Sequence, residues 1–109
     1  VSRLKGNIAE EKAVNFLKQK GFSIIEQNYY AKKMGEIDII ATKGDVYRFV
    51  EVKSGTSYDA VYNITLAKLH KLIKSIYYYL KVKNLDVKFC IDAVIVYDNK
   101  IEMIENITL

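Results

Sequence analysis

Apolar residues return every three or four positions from Ser2 to Lys20, at Leu4, Ile8, Ala9, Ala13, Phe16 and Leu17, and Gly21 follows where helices commonly end. This predicts a first helix. The stretch Phe22 to Tyr30 is rich in β-forming residues and predicts a strand, although the adjacent Ile24 and Ile25 interrupt its alternation. Glu36 to Thr42 and Val46 to Ser54 both carry β-branched and aromatic residues, with the turn-forming Gly44-Asp45 between them, so they predict an antiparallel hairpin. After Gly55 a polar, tyrosine-containing stretch reads as a loop to Asn63. Leu66, Leu69, Ile73, Ile76 and Leu80 then mark one face of a second helix, with Lys68, Lys71, Lys74 and Lys81 on its other faces. Val87 to Tyr97 and Ile101 to Ile104 predict two final strands around the turn Asp98-Asn99-Lys100. The expected order is α-β-β-β-α-β-β.

The hairpin has a register. A turn centred on Gly44-Asp45 pairs positions that add to 89, which sets Asp38 opposite Glu51 and Glu36 opposite Lys53. By two-residue alternation, Glu36, Asp38, Glu51 and Lys53 then share one charged face, and Ile37, Ile39, Val50 and Val52 share an apolar one. Carboxylates placed directly across a sheet repel each other. A hard divalent cation between them, magnesium or manganese, would offset that repulsion. Lys53 could orient a water or offset charge on a phosphate, a combination that fits metal-assisted phosphodiester hydrolysis. Against this stands the plainer possibility of solvated surface pairs, since Glu-x-Lys alone is a weak signal.

These residues resemble the PD-(D/E)xK signature of restriction-endonuclease-like proteins, with Asp38 as the first acid and Glu51-Val52-Lys53 as the second half. The segments Gly6-Asn7-Ile8-Ala9-Glu10-Glu11, Gly21-Phe22, Asn28-Tyr29, Gly35-Glu36-Ile37-Asp38-Ile39-Ile40 and Phe49-Val50-Glu51-Val52-Lys53 resemble the YraN family of uncharacterised bacterial proteins. That family is similar to archaeal Holliday junction resolvases. The resemblance runs from about Gly6 to Val96 and includes Lys68 and Asp92. It implies a restriction-endonuclease-like α/β fold, a central mixed sheet flanked by helices, as a single endonuclease-like domain over residues 1–109. It also implies a third acid from the first helix, at Glu10, the position matching the family. Glu11 is its rival, because neighbouring helical positions point about 100° apart and only one can face the site.

The sequence departs from the family pattern in two places: Gly55 stands at a commonly basic position, and Cys90 stands where an arginine often precedes Asp92. Both changes remove positive charge. The motif proline is absent too, as Ile37 precedes Asp38, but this agrees with the Gly35-Glu36-Ile37-Asp38 form and leaves the acid in place.

Composition adds partners and compartment. Half the 109 residues are hydrophobic and 28% are charged, which argues against disorder. A net charge of +4 suits an anionic partner such as DNA without requiring one. Lys32, Lys33, Lys68 and Lys71 are candidates for contacts to a nucleic-acid backbone, which would position a strand without reading its sequence. Glu10 and Glu11 interrupt any early apolar stretch, and no run reaches membrane-spanning length, so a cytoplasmic protein without membrane partners is expected. Cys90 is the only cysteine, expected as a buried small hydrophobe. His70 is the only histidine, expected at the surface. Tyr77, Tyr78 and Tyr79 cannot all face one way on a helix, so some are exposed.

The expectation is a magnesium- or manganese-dependent endonuclease on DNA, with branched or junction DNA among its candidate substrates, and with Glu10, Asp38 and Glu51 as metal-site acids and Lys53 beside them. Two other readings stand beside it: a nucleic-acid-binding module with this fold and little activity, and an assembly protein dimerising through the tyrosine-rich helix. A homodimer is compatible with all three.

Overall fold

The structure, a computed structural model, describes residues 2–55, 64–97 and 100–107, and side chains from Ile8 onward within them. The elements are α1 (Ser2–Gln19), β1 (Ser23–Tyr30), a short 3-10 turn (Lys32–Met34), β2 (Glu36–Lys43), β3 (Val46–Ser54), α2 (Leu66–Val82), β4 (Lys88–Val96) and β5 (Ile101–Ile104). The expected order therefore holds, and the five strands form one sheet in the order β1-β2-β3-β4-β5. All neighbours are antiparallel except β3 and β4, which run parallel through nine pairs from Val46↔Lys88 to Ser54↔Val96. A parallel pair needs a crossover, and α2 lies within it. The sheet is thus mixed, and the protein is α/β. The loop expected up to Asn63 and the turn residues Asp98 and Asn99 fall largely outside the described residues. Among the described residues, no helix is long and apolar enough to cross a membrane.

Each sheet face has its own core. Ala9, Ala13, Val14 and Leu17 of α1 pack with Phe22, Ile39, Ala41, Val50, Val94 and Val96. On the other face Leu72, Ile76 and Tyr79 of α2 pack with Ile37, Ile40, Phe49 and Ile91. The expectation of one apolar and one charged hairpin face is therefore overturned. β2 and β3 lie inside the sheet with a helix on either side, so both of their faces must be apolar where helices cover them. Ile37 and Ile39, expected on a common face, lie in different cores. The strict alternation is lost between them, opposite Asn28, whose φ of 51° interrupts the regular extended form of β1.

Helix faces also differ in detail from the expected ones. The buried stripe of α2 is Leu72, Ser75, Ile76 and Tyr79, flanked by Leu69, Ile73 and Leu80, while Leu66 is 70% exposed in the first turn. Tyr79 turns inward to meet the rings of Tyr29 and Phe49 edge-on, at centroid distances of 4.9 and 5.8 Å, and Tyr77 is left exposed. Ile8 is also exposed on α1. The side chain of Leu4 is outside the described set. The interrupted alternation in β1 is a bulge: the register with β2 shifts between Ile24 and Glu26, and Ile25 points outward as the extra residue.

Cys90 is half-buried and not a purely apolar residue, since its Sγ accepts from Arg48 Nη1 at 2.6 Å. Arg48 is its register partner on β3 and also reaches Asp92 at 3.2 Å. Asp92, fully buried, also accepts from the Asn106 N–H at 2.8 Å and so fixes the chain that follows β5.

Candidate functional site

The tight turn at Gly44-Asp45 fixes the hairpin register as the sequence requires, with Lys43↔Val46 through Ile39↔Val50 all adding to 89. The ladder then stops. Asp38 does not continue it as the backbone partner of Glu51. Its carboxylate Oδ2 instead accepts a hydrogen bond from the Val52 N–H at 2.9 Å. Beyond Ile39↔Val50, β3 stays paired with β4 on its other side, and β2 stays paired with β1. The first residues of β2 and the last residues of β3 thus border a seam in the sheet.

Two clefts meet at that seam. The first, about 220 Å³, is lined by Ala9 and Glu10 of α1, Asp38 of β2, and Glu51, Val52, Lys53 and Ser54 of β3. The second, about 210 Å³, is lined by Gly35 and Glu36, by Glu51 and Lys53, and by Lys68, Lys71, Leu72 and Ser75 of α2. Glu51 and Lys53 belong to both, and Lys53 Nζ lies 3.4 Å from Glu51 Oε1. The second cleft depends on close packing of β2 against α2. Gly35 adopts φ 134°, and a Cβ there would stand 3.2 Å from Lys71 Cε and 3.3 Å from Ser75 Oγ.

The electrostatics single out the first cleft. Burial, then Glu51, push the Asp38 carboxyl up to about 7, against the opposing pull of the Val52 N–H and Lys53. Burial also raises Glu51, while Lys53 and Lys68 act to lower it. Glu10 is raised by burial and then by Asp38 and Glu36. Burial is the main cause at all three carboxyls, and their mutual repulsion adds to it at Asp38 and Glu10, while lysines oppose it at Glu51.

Of the residues expected at a site, Glu10, Asp38, Glu51 and Lys53 line one cleft. Glu11 is exposed and, with Glu10, Val14, Gln27 and Asn28, lines a separate cleft, but it does not line the one that holds Asp38. Lys68 and Lys71 line the second cleft. Lys32 and Lys33 are exposed on the 3-10 turn and line neither. His70 is exposed. The sequence reading put Glu36 on the charged face but gave it no role, it quoted Gly35 only as part of the motif segment, and it overlooked Ser75. The flanking Gly35-Glu36 segment carried a signal for Glu36, whereas Ser75 is visible only once α2 is laid against β2.

The donors are hard oxygen ligands, the kind that magnesium or manganese takes. Among the described residues, no three Asp, Glu, His or Cys side chains stand close enough to enclose an ion as they are, and Glu51 is turned to Lys53. The donor chemistry fits a divalent cation, and the present side-chain arrangement balances Glu51 with an ammonium instead.

Fold and site together define an α/β protein with an acidic cleft, bordered by lysines, at a seam in a mixed sheet. The chain belongs to the uncharacterised protein family UPF0102, the YraN family, whose sequence model matches residues 9–96. It is 50% identical over 110 residues to the UPF0102 protein of Aliarcobacter butzleri strain RM4018, covering 100% of both chains. It is 53% identical over 109 residues to the one from Wolinella succinogenes, again 100% of both. With that of Helicobacter pylori strain HPAG1 it shares 53% over 106 residues, 97% of this chain and 92% of the relative. Similarity therefore spans the clefts and the core alike.

Proposed function

We propose that this chain is a divalent-cation-dependent nuclease that hydrolyses phosphodiester bonds in DNA at the acid cleft, with branched DNA as the structural class to test first. The observation that carries the reading is the seam. It leaves Asp38, Glu51, Glu10 and Lys53 around one cleft and sets Lys68 and Lys71 beyond them in a second, continuous one. The mixed sheet with a helix on each face, and an acid-x-lysine pair near the end of its central strand, agree with the restriction-endonuclease-like resemblance.

Asp38 and Glu51, with Glu10, would hold the cation. When bound, Mg2+ or Mn2+ supplies Lewis acidity at a phosphoryl oxygen and acidifies water. The remaining work belongs to side chains of this protein. Lys53 Nζ, now held by Glu51, is placed to orient the attacking water or to offset charge on the phosphate. Lys68 and Lys71 would grip backbone phosphates next to the scissile one, without reading bases. A symmetric cut in a branched substrate requires two such clefts, and a homodimer would supply them.

The Glu51–Lys53 pair and the open arrangement of acids favour one rival, a nucleic-acid-binding module that does not cleave. Labelled single-stranded, duplex, flapped and four-way-junction DNAs incubated with Mg2+ or Mn2+ separate the two. Cleavage by the wild type that disappears in both Asp38→Ala and Glu51→Ala is the expected result. Binding without cleavage in either metal would favour the rival, and cleavage that survives both substitutions would rule out this site.

A further inference from the structure

β1 carries a left-handed residue in its interior. Asn28 has φ 51°, a conformation that asparagine tolerates and most side chains avoid. It lies between the pairs Gln27↔Ile39 and Tyr29↔Ile37, so it stands across from Asp38. With its amide nitrogen turned toward the acids, the orientation its neighbours require, it donates to Glu10 Oε1 at 2.6 Å and to Glu36 Oε1 at 3.2 Å.

Those two carboxylates come from different elements, one lining the first cleft and one lining the second. Glu10 and Glu36 repel each other, Glu36 acting to raise the Glu10 carboxyl. A primary amide has two N–H donors and no charge, so it can satisfy one carboxylate with each. A cation in its place would cancel the negative charge, and a hydroxyl has only one proton to give.

We propose that Asn28 is a positioning residue of the acid cleft: its left-handed turn in β1 directs the amide between Glu10 and Glu36 and ties the two clefts together at their acids. The functional part rests on the nuclease reading, whereas the contact itself does not.

Two substitutions separate the backbone from the amide. Asn28→Gly keeps the left-handed turn and removes the donors. Asn28→Asp keeps the shape and sets a third carboxylate between the other two. The Asp variant should melt about 4 °C below the Gly variant, with Glu10→Gln recovering most of the loss. Carboxyl 13C resonances of Glu10 and Glu36 should move in both variants while that of Glu11 and the backbone amides of the two cores stay in place. Equal melting temperatures together with unmoved resonances would overturn the contact.

Function is read separately, with Mn2+ alone as the calorimetric probe and junction DNA as substrate. Asn28→Gly should weaken Mn2+ by about tenfold and lower kcat with little change in KM. Moved resonances with wild-type Mn2+ affinity and kcat would overturn the positioning role. A wild type that neither binds Mn2+ nor cleaves would sink the nuclease reading instead, and the melting and resonance results would still decide the contact.

Discussion

Asp38 and Asp92 are both aspartates on strands that flank β3, and burial raises both carboxyls, yet their surroundings differ in kind. Asp92 is fully enclosed and matched: Arg48 lies 3.2 Å away, and the Asn106 N–H donates at 2.8 Å. Asp38 receives one backbone N–H and the attraction of Lys53, and it faces Glu51, with Glu10 and Glu36 nearby. Breaking a buried charge pair leaves the other charge uncompensated, whereas removing one of several crowded carboxyls relieves repulsion. Two residues of the same type thus differ in what their loss should do.

Removing each carboxylate tests that contrast. Asp92→Ala should destabilise the protein by about 3 kcal/mol, because it leaves the half-buried Arg48 guanidinium with only Cys90 and the exposed Glu105 and frees the segment after β5. Urea unfolding measures it, and a loss below about 1 kcal/mol would mean that Cys90 and Glu105 suffice to hold Arg48.

At Asp38 the sign should reverse. Its folded carboxyl, near 7, holds a proton that the unfolded chain, near 3.8, has already released. Without divalent cation, stability should therefore fall as pH rises from about 4 to about 7 and level off above. Asp38→Asn should stabilise the protein at pH 8 by about 1 kcal/mol, after allowance for solvent screening, and remove that part of the pH slope. Denaturation curves across pH would show it. A destabilised Asn variant would make Asp38 an anchor like Asp92.

The smallest effect concerns the lysines. Lys68→Ala should weaken DNA binding about threefold and reduce the salt slope by about one. Lys32→Ala, away from both clefts, should change neither appreciably. Binding isotherms at several salt concentrations distinguish them, and equal effects would place the DNA path across the 3-10 turn as well.

The contrast between the two aspartates was only half legible in the sequence. Gly44-Asp45 fixed the hairpin register, because a tight turn leaves Lys43 and Val46 a single pairing, and with it came the proximity of Asp38 and Glu51. The end of the ladder was not visible, because an aspartate that takes over a backbone acceptor's role looks like any other strand residue. Nor was the Arg48–Asp92 pair, which depends on β3 and β4 running parallel in a register that no short turn dictates. Periodicity found α2 and four of its packed residues, Leu69, Ile73, Ile76 and Leu80, but it included the exposed Leu66 and passed over Leu72 and Tyr79, which look no different in sequence. The inward Ser75 and the left-handed Asn28 leave no periodic trace.

The single hydrogen bond from Val52 to Asp38 has a wider meaning for the sheet. It spans two subassemblies, β1 with β2 on one side and β3 with β4 and β5 on the other, beyond the last of their shared ladder pairs. Under the proposed reading, a cation that moves Asp38 relative to Glu51 would strain or relax this bond, and the Val52 amide proton would register it. Its exchange with solvent reports from within the backbone how firmly the two halves are joined.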